Sequence, residues 1–276
     1  MITPYHVSEF GSLYHGDCLE VLKTMPDESV ELTVTSPPYD NLRDYKGYSF
    51  DFEGIAKELL RVTKKGGVVV WVVGDATING SESGTSFKQA LYFKKIGFNL
   101  HDTMIYEKDT ISFPDANRYQ SQFEYMFVLT KGKPNTFNPI KIKSLYRADN
   151  KLVTDRQKDG TTKGKRVVSN SSERIKGNVW RYAVGYNKSS SCDYVFKHPA
   201  IFPEKLAADH ILSWSNEGET VLDPFSGSGT TITMSARYCR RYIGIEISAE
   251  YCEIAARRIE SELEQTTINL EVSNES

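Results

Sequence analysis

The sequence predicts an α/β fold built on a mainly parallel sheet, and three observations point to it. Apolar, β-branched runs such as Val30–Thr35 and Val68–Val73 recur along the chain. Amphipathic helical patterns of about ten residues separate them, the rhythm of a parallel sheet covered on both faces. That rhythm fills both ends of the 276-residue chain and lapses between about Pro134 and Phe196.

Taken in order, Ser12–His15 is a strand candidate and Asp17–Met25 a helical pattern. Val30–Thr35 is a strand that stops at Ser36, Pro37, Pro38 and Tyr39. A helix is expected over Phe52–Thr63, where Ile55, Ala56, Leu59 and Leu60 share one face, and Lys64, Lys65, Gly66 and Gly67 should end it. Val68–Val73 reads as a buried strand, Ser86–Ile96 as a helix closed by Gly97, and Phe98–Tyr106 and Phe123–Thr130 as further strands. Residues 150–175 are rich in Lys, Asp, Gly, Ser, Thr and Asn and are expected to form a mobile loop. Aromatics return with basic residues at Trp180, Tyr182, Tyr186, Tyr194 and Phe196. The α/β pattern resumes with a helix at Lys205–Trp214, a strand at Thr220–Leu222, a helix at Thr230–Tyr238, a strand at Tyr242–Ile247 and a helix at Ala249–Glu264. The last dozen residues read as a frayed tail. The chain thus divides into 1–133, an inserted segment 134–196, and 197–276.

Composition excludes several classes. No apolar run approaches the roughly 20 residues of a membrane span, and the N-terminus has no basic start followed by an apolar stretch, so no signal peptide is expected. Cys18, Cys192, Cys239 and Cys252 are scattered, which disfavours disulfides or structural zinc and points to a reducing cytoplasm. His101 and His210 show no ligand spacing, so no metal is expected. The net charge of −2 conceals an asymmetry: residues 131–197 hold 16 Lys and Arg against five Asp and Glu. A basic segment in an acidic body suits a protein of which only that segment touches phosphates; a solvated basic loop is the alternative.

Two motifs carry chemistry. Asp223, Pro224, Phe225, Ser226, Gly227, Ser228, Gly229, Thr230 and Thr231 lie between a strand and a helix. Gly227 and Gly229 allow close backbone approach to a ligand, and the turn opens a helix N-terminus. A nucleotide or phosphate loop would look similar, but no Lys follows the second glycine, against a Walker-type loop. Glu246 ends the next strand, where its carboxylate can accept from both hydroxyls of a ribose; a plain helix N-terminal charge is the alternative. The second motif, Ser36, Pro37, Pro38 and Tyr39, follows a buried strand, at the sheet edge where open α/β folds bind ligands. The prolines leave carbonyls without competing N–H donors. Ser36 Oγ and the Pro37 carbonyl can accept from one amino group while Tyr39 offers a stacking face; a rigid turn with a core tyrosine is the alternative.

Together the two motifs resemble those of the amino-methylating DNA methyltransferases, which modify cytosine N4 or adenine N6. The order here, with the Ser-Pro-Pro-Tyr motif first, a basic segment next and the glycine motif last, is similar to their beta class. The resemblance spans most of residues 12–262 outside the basic segment. It implies a Rossmann-like S-adenosylmethionine-dependent methyltransferase fold with permuted motif order and an inserted target-recognition region. It further implies that Ser36, Pro37, Pro38 and Tyr39 are catalytic. Asp223, Phe225, Ser226, Gly227, Gly229, Thr230 and Thr231 would line the cofactor, Glu246 would hold its ribose, and Asp17 its adenine amine. The stretch from His198 to Lys205 would close over the methionine end, with Phe202 and Pro203 starting a helix.

Since Asp17 and Glu246 come from opposite chain ends, the final helix should pack beside the first strand. Lys163, Lys165, Arg166, Arg174, Lys176 and Arg181 are the candidate contacts to double-stranded DNA. A homodimer is a candidate assembly from the same resemblance, and neither a membrane nor a metal is implied. A serine before Pro-Pro-Tyr is more frequent in cytosine-N4 members and an aspartate in adenine-N6 ones, so cytosine is favoured. Methylation of an RNA or protein amide and a non-catalytic nucleic-acid-binding module are the rivals from other classes.

Overall fold

The computed structural model describes residues 2–38, 50–110, 117–144, 148–169, 172–185 and 203–274, with the backbone alone at 148–153, 165–169 and 266–274. It separates into two compact units, Met1–Asn138 with Asn178–Ser276, and Pro139–Gly177. The larger unit begins with β1 (His6–Ser8), β2 (Gly11–His15), α1 (Cys18–Thr24), β3 (Val30–Thr35), α2 (Phe52–Val62) and β4 (Thr63–Val73). A small hairpin of β5 (Thr77–Ile78) and β6 (Ser81–Glu82) precedes α3 (Thr85–Ile96), β7 (Asn99–Lys108) and β8 (Phe123–Thr130). The smaller unit holds β9 (Lys141–Lys143), β10 (Ala148–Arg156), β11 (Thr162–Ser169) and β12 (Glu173–Ile175). The chain then returns through β13 (Val179–Tyr182), α4 (Glu204–Trp214), β14 (Thr220–Asp223), α5 (Thr230–Arg237), β15 (Arg241–Glu246) and α6 (Ala249–Asn274).

Among the described residues one sheet of nine strands runs in the order β1-β2-β15-β14-β3-β4-β8-β7-β13. Its centre, from β2 to β4, is parallel, with β8 antiparallel to both β4 and β7. Central strands buried on both faces explain the unbroken apolar runs: Val68 to Val73 are all buried. On one face Val69, Trp71 and Val73 join Leu22, Leu59 and Phe93 of the first three helices. On the other, Leu13 and Tyr242 pack with Ile232 of α5 and Ala255 and Ile259 of α6. The last helix does lie against the first strands, and His6 Nε2 stands 3.3 Å from the Glu260 carboxylate. Gly11 lets β2 close on its neighbour β15, since a Cβ there would run into the Tyr242 backbone.

Several expectations need correction. Residues 150–175 are not a loop: β10 and β11 pair as an antiparallel hairpin from Ala148 to Ser169. Asp159 and Gly160 make its turn, with Gly160 at φ +82° and Asp159 Oδ1 accepting from Thr161 N at 2.9 Å and from Thr161 Oγ1 at 2.7 Å. Lys64 to Gly67 do not stop a helix ahead of the strand but belong to β4, whose Thr63 already pairs with Val30. Pro203 is the N-cap of α4 rather than its first helical residue. The tail expected to fray continues α6 to Asn274, as no Gly or Pro interrupts it. The segment expected as 134–196 is shared: Pro139–Gly177 is the second unit, β13 joins the main sheet beside β7, and 186–196 lie outside the described residues.

Candidate active site

Because β2, β15, β14, β3 and β4 run parallel, their C-terminal ends line one edge, where backbone groups leave the ladder and ligands are met. Asp17 follows β2, Glu246 ends β15, Asp223 ends β14, and Ser36, Pro37 and Pro38 follow β3. Residues from the two chain ends meet there: His15 pairs with Glu246, and Gly16 N donates to the Glu246 carbonyl at 2.9 Å. Asp17 caps α1, its Oδ1 accepting from Leu19 N at 2.9 Å and Glu20 N at 3.1 Å, which leaves its other oxygen for a ligand.

The turn after β14 is held from within. Ser226 N donates to the Ile245 carbonyl, Ser226 Oγ to the Asp223 carbonyl, and Gly229 N to the Ser226 carbonyl. Gly227 and Gly229 sit at φ +50° and +81°, and Gly229 is the N-cap of α5. Its backbone rests on α6, because a Cβ at Gly229 would lie 2.8 Å from Ala255 Cβ. The buried Glu246 carboxylate closes the turn from the side, Oε2 accepting from Gly227 N and Oε1 from Ser248 N, each at 2.8 Å. Each oxygen keeps a second lone pair, so the carboxylate can also accept from a diol. Burial holds its proton affinity above the ordinary carboxylate value, against the pull of those N–H groups. A buried carboxylate with lone pairs left for hydroxyl donors suits the ribose of an adenosine-bearing sulfonium such as S-adenosylmethionine.

Asp223 joins this turn to the neighbouring strand. Its Oδ1 accepts from Phe225 N at 3.1 Å and from Thr35 Oγ1 at 2.7 Å. Burial pushes its carboxyl up to about 6, although both hydrogen bonds favour the ion. Ser36, half-buried, follows Thr35 directly, then the buried Pro37 and half-buried Pro38. Tyr39 lies outside the described residues. Phe225 presents its ring edge-on to Phe50 and Trp71 at centroid distances of 5.6 and 6.2 Å, so an aromatic wall stands beside the turn.

Comparison with known proteins agrees with this geometry. The family model described as DNA methylase matches residues 30–257. The chain belongs to that family. It is 57% identical over 239 residues to the orphan methyltransferase M.BamHII of Bacillus amyloliquefaciens, covering 85% of this chain and 90% of that protein. It is 30% identical to the DNA adenine methyltransferase YhdJ of Escherichia coli K12, covering 92% and 84%. Among solved structures it is similar to the Thermus thermophilus protein TTHA0409, described as a DNA modification methylase and solved with S-adenosylmethionine. That likeness has a TM-score of 0.62 and 26% identity, over 91% of this chain and 93% of the other. The protein is an S-adenosylmethionine-dependent DNA methyltransferase of the beta class of amino-methyltransferases.

The other expected site residues of this methyltransferase are more dispersed. Lys205, on α4, is mostly exposed and places its ammonium 3.2 Å from Asp209 Oδ1, while Tyr182 OH donates to Asp209 Oδ2 at 2.8 Å. Lys163, Lys165 and Arg166 lie on β11, opposite Asp155, Val153 and Leu152. Arg174 lies on β12, with Lys176 just beyond it. Arg181 belongs to the larger unit, on the edge strand β13, with Nη1 3.9 Å from Glu107. The basic candidates therefore do not form one patch within one unit. His198 lies outside the described residues. Burial pushes the thiols of Cys18 and Cys252 up to about 12, so neither supplies a thiolate nucleophile. Among the described residues no cluster has metal-ligand composition, and no helix is long and apolar enough to cross a membrane.

Two further residues at this edge carry no motif of their own. In the sequence Thr35 is only the end of a strand, and its hydroxyl contact becomes visible once β3 and β14 are known to be neighbours. Asp75, just past β4 on the same edge, accepts from Ser86 N at 2.9 Å and from Ser83 Oγ at 3.1 Å, fixing the start of α3. An Asp separated by one residue from a buried strand is the signal that marks Asp75.

Proposed function

We propose that this methyltransferase modifies N4 of cytosine within a specific duplex sequence, acting on a base turned out of the helix. The observation that carries the reading is the adjacency of two strand ends. Ser36 and Pro37 follow Thr35, whose hydroxyl is bonded to Asp223 at the head of the cofactor turn. Bound S-adenosylmethionine supplies an electrophilic methyl group on its sulfonium. An exocyclic amine is a weak nucleophile because its lone pair is delocalised into the ring. Ser36 Oγ and the Pro37 carbonyl accept the two amine hydrogens, which draws the lone pair onto nitrogen and stabilises the charge that develops there. The remaining contribution is alignment of nitrogen with the methyl group, and the proton leaves to water afterwards. Tyr39 stacks on the extruded base.

In the cofactor half, Glu246 accepts from the ribose hydroxyls and Asp17 from the adenine amine. Asp223, Phe225, Ser226, Gly227, Gly229, Thr230 and Thr231 shape the pocket wall, and Lys205 serves the methionine end. The unit Pro139–Gly177 carries 11 Lys and Arg against four Asp and Glu and acts as the target-recognition module.

Adenine N6 is the second reading, supported by the name of the Escherichia coli relative. Hydrolysis of DNA exposed to the protein and S-adenosylmethionine, with identification of the modified nucleoside by mass, separates the two. N4-methyldeoxycytidine is expected; N6-methyldeoxyadenosine instead would transfer the assignment to adenine.

A further inference from the structure

Arg258 lies on the buried face of α6, one turn beyond the Ala255 that supports Gly229. Its side chain is 1% exposed, an unusual place for a guanidinium without a structural or functional task. Nη1 donates to the Ser228 carbonyl at 3.2 Å and to Thr230 Oγ1 at 2.9 Å, and Nη2 donates to Glu204 Oε1 at 2.6 Å. Ser228 lies between the two glycines of the turn, Thr230 opens α5, and Glu204 opens α4. Glu204 Oε2 in turn stands 3.9 Å from Arg237 Nη1, and Arg237 Nε donates to Glu262 Oε1 at 2.6 Å.

We propose that Arg258 is a positioning residue for the cofactor site, a rigid fork that sets the shape of the Gly227–Gly229 turn and fixes the start of α4 against it. Three features carry this. Among the described residues the planar guanidinium reaches two acceptors at the turn, the Ser228 carbonyl and Thr230 Oγ1, and one at the start of α4, which a lysine ammonium on a flexible stem cannot reproduce in the same geometry. The Ser228 carbonyl it engages lies between two glycines at positive φ, so the fork adds a restraint from α6 to a turn otherwise held by its own hydrogen bonds and by Glu246. Its anchor, Glu204, is itself held by Arg237, so the fork is braced on the far side. The inference rests on the assignment of the Gly227–Gly229 turn to the cofactor.

The test uses the full chain and three variants: Arg258→Met, Arg258→Lys and Glu204→Gln. Cofactor dissociation constants come from calorimetry with S-adenosylmethionine and S-adenosylhomocysteine, KM values for cofactor and DNA are measured separately, and melting temperatures monitor the fold. Arg258→Met should weaken both cofactor ligands about tenfold or more by loss of preorganisation. KM for DNA should stay near that of the unaltered protein. Arg258→Lys should recover part of the loss, and Glu204→Gln, which keeps an acceptor but removes its charge, should show a smaller weakening in the same direction. If Arg258→Met melts before it can be assayed, the Lys and Gln variants decide the matter alone. Unchanged cofactor affinity in folded variants, or equal losses for cofactor and DNA, would overturn the proposal. Failure of the unaltered protein to bind cofactor would overturn the assignment of the turn instead.

Discussion

Thr35 ends β3 and donates its hydroxyl across 2.7 Å to Asp223, which ends β14. That bond joins the strand bearing the amine-accepting motif to the strand feeding the cofactor turn, although 188 positions separate the two residues. Thr35→Val, close in shape but without the donor, should destabilise the fold by roughly 1–3 kcal/mol, the penalty for leaving a buried charged acceptor short of a partner. Denaturant unfolding checks this at two pH values. The loss should be larger near pH 8, where Asp223 is ionised, than near pH 5, below its elevated pKa of about 6. Equal losses at both would mean that the hydroxyl does not serve the ion. Asp223 itself follows the linkage of a raised carboxyl. Its stabilising contribution is fully present below 3.8 and is lost as pH rises through about 6.

Glu246 is raised as well, so the same sign applies to its part in stability: present below its ordinary 4.5, lost as pH rises through its folded value. Cofactor binding runs the other way, because ribose hydroxyls donate best to the carboxylate. Affinity for S-adenosylhomocysteine should rise with pH through that window and then level off. Glu246→Gln should flatten the profile and weaken binding roughly tenfold to a hundredfold, the range of a hydrogen bond to a charged group. A pH-dependent profile retained in the Gln variant would place the titrating group elsewhere.

Gly229→Ala should destabilise on two counts. The left-handed backbone costs a residue with a Cβ about 1–2 kcal/mol, and that Cβ would lie 2.8 Å from Ala255 Cβ. Adding Ala255→Gly should remove the closest contact and leave the 3.1 Å approach to the Ala255 Cα together with the conformational part. Because Gly within α6 itself costs about 0.5–1 kcal/mol relative to Ala, thermal melting of both single variants and the double variant is needed; losses that simply add would show that Ala255 is not the obstacle.

Substituting Lys163, Lys165 and Arg166 of β11 together by Ser should weaken DNA binding and flatten its salt dependence. For every phosphate that a removed cation had neutralised, the slope of log K against log salt should fall by about 0.9. Binding isotherms over a range of salt check this. An unchanged slope would remove β11 from the DNA interface.

Much of the sheet edge is legible in the sequence because its markers are local. The glycines of the turn, the paired prolines after Thr35 and the acidic residue ending β15 each announce a backbone requirement in their own sequence. The β10–β11 hairpin is hidden by its polar composition, although Asp159 and Gly160 between β-branched segments are a turn signal. Lys64 to Gly67 read as a helix stop, yet pairing with β3 extends β4 through them, an outcome of tertiary register rather than propensity. The reversed direction of β8 leaves no trace in the hydrophobic pattern, since Met126 to Leu129 form a buried apolar run like those of the parallel strands beside it. Arg258 is invisible for a related reason: a charge on the buried face of α6 becomes meaningful only when its acceptors on the turn and on α4 are seen.

The most direct test of a methyl-transfer centre at these strand ends is single-turnover transfer from labelled S-adenosylmethionine to duplex DNA by a Ser36→Ala, Tyr39→Ala double variant. The variant should bind cofactor as the unaltered protein does, because neither side chain belongs to the cofactor turn. Removal of Tyr39 alone should cost roughly 1–3 kcal/mol of base stacking. Transfer should then fall steeply while cofactor affinity holds. Methylation at the full rate by the double variant would contradict the placement of the reaction at Ser36 and Pro37.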